Sequence, residues 1–301
     1  MVIPFFKYRK FYYVFSSILL FSAILSLLVL KLNFGIEFKG GSILELEYLE
    51  KRPEVKEIEG KLSALNLGET IIQPTGDKGV ILRTKEVNEE THQKILENLR
   101  SLGELKEVQF ESIGPTISKE LKEKSILIVT FSIFVIVFYI AFAFKNLSPI
   151  VPVWKCGVVV LFCLFHDVVL PLGFLALLGK FLGVQFSIPV VIALLTIVGY
   201  SINNVVVVYD RFRETLQKFP TKPLPQAIDQ SISQTLTRQI NTSLTTLFPL
   251  FSIFFLVGED LKYFSLTLIL GILFGTYSSI FLALIILGNW QTISKREKTK
   301  K

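Results

Sequence analysis

The sequence predicts a multi-pass α-helical membrane protein with six transmembrane helices and one α+β domain outside the bilayer. Three observations predict it. Of the 301 residues 51% are hydrophobic, 27 are Phe and only 19% are charged, which is more apolar surface than one soluble core takes up. Six separate apolar runs, near 11–32, 125–144, 153–178, 185–209, 236–257 and 263–288, are each close to the ~20 helical residues that cross the hydrocarbon layer. Between the first two lies a single stretch of about ninety residues, rich in Lys and Glu and free of long apolar runs, that reads as a folded, water-facing domain. The chain therefore divides into an N-terminus and first span (1–34), an outer domain (35–124), spans two to six (125–290) and a basic tail (291–301).

The first run follows Lys7, Arg9 and Lys10, as a cleavable signal would. It is too long for a signal's apolar region and no small-residue cleavage site follows, so it reads as a retained span. In the outer domain, Ser42 to Leu49 alternate, with Leu44, Leu46 and Tyr48 on one face and Glu45 and Glu47 on the other, a half-buried strand. Pro53 opens a helical segment to about Asn66, with Val55, Ile58 and Leu62 spaced for one buried face. Strands follow near 70–75 and 80–84, joined by the turn Gly76-Asp77-Lys78-Gly79. Asn88 caps a second helix carrying Ile95, Leu96 and Leu99, and Leu105 to Ile113 closes the domain as another strand. The order βαββαβ is the ferredoxin-like, split-βαβ plan. His92, the domain's only histidine, sits among polar residues and is expected on the surface. With no Cys and no Gly-rich phosphate loop, the domain reads as a docking or binding module rather than a catalytic one.

Orientation follows from Lys and Arg. Lys7, Arg9, Lys10, Lys145, Lys155, Arg211, Arg213, Lys218, Lys222 and the tail at 295–301 fall on one side of six threaded spans, and Lys180 and Lys262 on the other. The first side is the cytoplasm, so both termini are expected inside and the domain outside. This asymmetry accounts for the net charge of +7 without a nucleic-acid partner. Cys156 and Cys163 lie about 10 Å apart along one helix, too far to bridge, and read as packing residues.

Polar side chains inside spans cost free energy unless they face protein or water, so each is a functional candidate. In the third span, Asp167 follows His166, and Pro171 frees the Asp167 carbonyl beside its own carboxylate. The residue is either part of a polar pocket or a structural link to a neighbouring helix. In the fourth span Gly199, Tyr200, Ser201, Asn203 and Asn204 interrupt a Val and Ile helix. Tyr200, Asn204 and Arg211 share one face, and Gly199, Asn203 and Asp210 the next. In the fifth, Ser231, Gln234, Thr235, Arg238, Asn241, Thr242 and Thr245 form a polar stripe around Arg238. Its permanent charge demands a partner, a hydrated cavity or a route to the interface. Gly271, Gly275 and Ser279 in the sixth span read as a helix-packing stripe.

Several segments resemble the SecF members of the SecD/SecF protein-export family: GIEFKGG at 35–41, ESIGPTISKEL at 111–121, LFHDVVLPLG at 164–173, VGYSINNVVVVYDRFRE at 198–214, SISQTLTRQINTSLTTL at 231–247 and FSLTLILGILFGTYSSIF at 264–281. They occur in order over nearly the whole chain. The resemblance implies a non-enzymatic subunit of the bacterial plasma membrane that needs no cofactor. It implies pairing with SecD in a twelve-span body, association with the SecYEG channel and YajC, contact with membrane lipid and with unfolded exported polypeptide, and use of the proton motive force in late steps of export. Gly35, Glu37, Gly40 and Gly41 match the family's signature outside the first span, with Glu37 where Asp is usual. Asp167, Tyr200, Asn203, Asn204, Gln234, Arg238 and Thr242 become candidates for proton relay or coupling. Asn204 stands where the family usually has Asp and cannot titrate, so a relay would need Asp167, a SecD carboxylate, or both.

Two rival readings belong to other classes. A stand-alone transporter of a lipid or small hydrophobic molecule would need no SecD, but one six-span half is small for a complete pump. An intramembrane hydrolase would use His166 and Asp167, yet adjacent residues are expected on different helix faces and no Ser or Cys nucleophile is paired with them by spacing.

Overall fold

Alternating apolar residues and well-placed caps build the outer domain in the order the sequence predicts. The structure is a computed structural model and describes residues 2–68, 70–143 and 151–299. Lys145, Lys300 and Lys301, which enter the charge asymmetry, lie outside these, as does residue 144. The chain forms two compact units, Phe34–Leu127 and the pair Met1–Asn33 with Ile128–Lys301.

In the first unit a short helix α2 (Ile36–Lys39) leads through Gly40 and Gly41 into β1 (Gly41–Tyr48). Then come α3 (Val55–Leu62), β2 (Ile71–Thr75), β3 (Gly79–Thr84), α4 (Glu89–Arg100) and β4 (Leu105–Ile113). The sheet is antiparallel throughout, in the order β2-β3-β1-β4. Leu44, Leu46 and Tyr48 of β1 pack with Ile58 and Leu62 of α3 and Ile95, Leu96 and Leu99 of α4, so both helices cover one face of the sheet. Helix α3 starts after Pro53 because Glu54 and Glu57 form a capping box there. The Asn88 side chain accepts the Thr91 N–H at 3.0 Å and starts α4.

His92 is a correction to the sequence reading. It is only 4% exposed. Its ring stacks flat on Phe110 of β4, with centroids 3.8 Å apart, and its nitrogens lie 3.3 Å from Glu89 and 3.4 Å from Glu107. The reason is periodicity: His92 precedes Ile95, Leu96 and Leu99 at helical spacing and shares their buried stripe. The Gln93 amide, and next the His92 ring, hold the Glu89 carboxyl below its ordinary range.

The six spans are α1 (Arg9–Leu30), α5 (Pro115–Ala143), α6 (Val153–Leu182), α7 (Ile188–Lys218), α8 (Leu224–Leu256) and a last span of α9 (Glu259–Ser278), a π-helical turn (Ser279–Ala283) and α10 (Leu284–Thr299). Helices α6 and α9 occupy the centre, and α5 presents Phe131, Phe134 and Phe138 outward. Between lipid-solvated helices the association rests on close packing rather than on water exclusion. Small residues supply it. At Gly173 an added Cβ would fall 2.5 Å from Ala23 of α1, whose neighbour Ser26 donates to the Gly173 carbonyl at 2.9 Å. The predicted stripe behaves the same way: Gly271 lies under Ile197 of α7, and Gly275 faces Asp167 and Ser201. Both α6 and α8 continue through their internal prolines, Pro171 and Pro249.

Candidate functional site

Asp167 sits on α6 where the helix meets α7 and α9, and it is fully buried. A carboxylate there must be matched by donors. Ser201 of α7 donates to its Oδ2 at 2.5 Å and Ser278 of α9 to the same oxygen at 2.7 Å. His166 Nδ1 lies 2.9 Å from Oδ1. The adjacent pair, expected on different helix faces, is thus in hydrogen-bond contact. His166 Nε2 has no hydrogen-bond partner among the described residues.

A second polar layer joins α7, α8 and α9. Tyr200 donates to Ser243 at 3.1 Å, and Ser243 shares a 2.6 Å hydrogen bond with Thr276. A third joins α8 to the last span, where Ser279 donates to Gln239 at 2.6 Å at the start of the π-helical turn. Such turns occur often at functional positions. Of the residues in these layers Ser201 stands out in the sequence, whereas Ser278, Thr276, Gln239 and Ser243 do not. Lone Ser and Thr in an apolar helix carry little signal, since they can bond their own backbone. Gln239 lies beside Arg238 in a segment rich in polar residues, so its own amide does not stand out there.

Helices α7 and α8 run antiparallel between two contacts, Tyr200 with Ser243 and Arg211 with Gln234, where Arg211 Nε donates to Gln234 Oε1 at 2.7 Å. Asn203, Asn204 and Arg238 lie between these contacts along the helices. They occupy different faces. Asn204 is buried, and its Nδ2 has no acceptor among the described residues. Asn203, Gln234, Arg238, Asn241 and Thr245 are exposed, and Thr242 is half-buried, donating to the Arg238 carbonyl at 2.7 Å. The predicted relay set is therefore divided. Asp167 and the Tyr200 layer lie inside the bundle, and Arg238 with its polar neighbours lies on the outside.

The signature after the first span has a structural role. Gly40 and Gly41 have φ of +78° and +128°, and a Cβ on Gly41 would fall 2.6 Å from the Thr84 carbonyl oxygen. Gly35 precedes α2 in extended conformation, and Glu37 lies in that helix, half-buried. Ser118 of α5 donates to the carbonyls of Ile36 and Gly114, at 3.2 and 3.0 Å, tying the signature to the start of α5.

Comparison with known proteins gives a consistent result. The family described as protein export membrane protein SecD/SecF, C-terminal, matches residues 92–293, and the SecD/SecF GG motif matches residues 25–48. The protein translocase subunit SecF of Thermobaculum terrenum is 32% identical over 298 residues, covering 95% of this chain and 93% of that protein. That of Desulfurispirillum indicum is 36% identical over 302 residues, covering 96% and 92%. Among solved structures, the translocon-associated membrane protein SecDF from Thermus thermophilus superposes with a TM-score of 0.84 at 30% identity over 97% of this chain. SecDF in its super-membrane-facing form gives 0.70 at 29% identity over the full chain. This chain spans 39% and 40% of those two longer chains.

Proposed function

Because this chain belongs to the SecD/SecF protein-export membrane-protein family, we propose that it serves as a SecF-type subunit of the Sec translocase in a bacterial plasma membrane. The other part of the longer SecDF architecture is supplied by a separate SecD-type chain. Together the two use the proton motive force to promote late steps of export, in association with the SecYEG channel and YajC. Both termini face the cytoplasm, and the folded domain lies outside.

One observation carries this reading: Arg238 is exposed on a membrane span, in line with Asn203, Gln234, Asn241 and Thr245. A guanidinium facing hydrocarbon is costly, so this face calls for a polar, acidic surface on another chain. Asn204 cannot titrate, and Asp167 is enclosed by Ser201 and Ser278 away from the exposed stripe. The titrating carboxylate opposite Arg238 therefore belongs to the partner. The subunit is not an enzyme in this account: the Ser201 and Ser278 hydroxyls donate to Asp167 rather than to His166, so neither is set up as a nucleophile. Purification from native membranes with identification of bound subunits tests the proposal. A SecD-type chain should accompany the protein, and a protein that purifies alone, still folded, would favour a stand-alone transporter.

A further inference from the structure

Helix α6 begins with a cation in an unusual place. Lys155 is only 5% exposed. Its Nζ donates to Gln291 Oε1 at 3.2 Å and lies 5.2 Å from the Trp290 ring centre and 5.8 Å from that of Trp154. The two indoles meet edge to face at 5.1 Å. An ammonium has three donors and here uses one, on a neutral amide. Among the described residues no carboxylate pairs with it. Two indole faces offset part of the charge, but a buried cation with no carboxylate beside it among the described residues is a place where an anion would be favoured.

The same Trp154 is also the end wall of an apolar groove of about 210 Å³ between α5 and α6, lined by Val137, Ile140, Val153, Gly157 and Leu161. That exceeds the roughly 150 Å³ that holds a benzene ring. From Val153 to Leu161 the groove follows α6 for about 12 Å toward the middle of the span. Tryptophans favour the level of lipid headgroups, so the groove runs from the headgroup level into the hydrocarbon. Trp154 is 59% exposed and stands between groove and cation, lining the groove and lying 5.8 Å from Lys155 Nζ.

We propose that Lys155, Trp154 and the α5–α6 groove form a binding site for an anionic phospholipid, with its phosphate on Lys155 Nζ and one acyl chain in the groove. The occupied site would fasten α5, the most peripheral span, to α6 at Ile140 and Gly157, where the two helices already approach.

Trp154 and Trp290 are the chain's only two tryptophans, so its fluorescence reports on this site. The whole protein in nanodiscs is titrated with acyl-brominated phosphatidylglycerol or acyl-brominated phosphatidylcholine. Wild type should be half-quenched at about fivefold less of the anionic lipid. Lys155→Gln should lose that ratio and Lys155→Arg keep it. Equal quenching of wild type by both lipids overturns the proposal without any variant, as does an unchanged preference in Lys155→Gln. Loss of the preference on adding inorganic phosphate would overturn a lipid as the ligand.

Discussion

Ser278 donates a 2.7 Å hydrogen bond to the carboxylate of Asp167, across two helices separated by 111 positions in the chain. With Ser201 on the same oxygen and His166 on the other, Asp167 ties α6, α7 and α9 together. Removing the acceptor strands buried donors, which is costlier than never having had them. Asp167→Asn keeps one acceptor oxygen and should destabilise the bundle by about 1–3 kcal/mol. Asp167→Ala removes both acceptor oxygens and should cost more, about 3 kcal/mol. Thermal unfolding in detergent should rank wild type above Asn above Ala, and melting temperatures indifferent to both changes would refute the link.

The double glycine makes an opposed pair of substitutions informative. At Gly41 the backbone has φ of +128° and Thr84 O blocks a Cβ, so Gly41→Ala should destabilise the outer domain by about 1–3 kcal/mol. Gly60 is helical, exposed and unobstructed, and Gly60→Ala should stabilise it by about 0.5–1 kcal/mol. Hydrogen exchange of β1 and β3 in the intact protein reads both. Shifts of the same sign would contradict this account of the turn.

For topology, Asp77 lies at the exposed β2–β3 turn and Lys218 at the exposed end of α7. The resident Cys156 and Cys163 are buried and should stay silent. A cysteine replacing Asp77 should react with an impermeant thiol reagent applied outside the cell, and one replacing Lys218 only after lysis. The reverse pattern would invert the orientation.

Arg238 separates function from stability. Its side chain is exposed, so Arg238→Met should change the unfolding free energy of the isolated subunit little, by about 0.5 kcal/mol or less. Export measured in cells should nonetheless fail. Normal export would reduce Arg238 to an interfacial anchor.

Much of the outer domain is legible in the sequence because strand alternation at Leu44, Leu46 and Tyr48 and the cap at Asn88 are local signals. His92 was misplaced because its polar neighbours masked a period it shares with Ile95 and Leu99. In the membrane unit, Asp167, Tyr200 and Arg238 stand out as polar groups in apolar runs, but which of them face one another depends on helix rotation. Rotation is set by contacts such as Gly271 beneath Ile197 and Ser279 on Gln239, between positions far apart in the chain. Hence Asp167 and Arg238, candidates for one relay by the family resemblance, stand on separate sides of the packing.

The most direct test of a SecD-type partner on the Arg238 face is site-specific photo-crosslinking in native membranes. A photoreactive residue at exposed Asn241, one turn from Arg238, should give a discrete protein adduct containing the SecD-type chain. The same residue at Phe134, exposed on α5, should give none. A protein adduct from Phe134 with nothing from Asn241 would place the partner elsewhere and contradict the account.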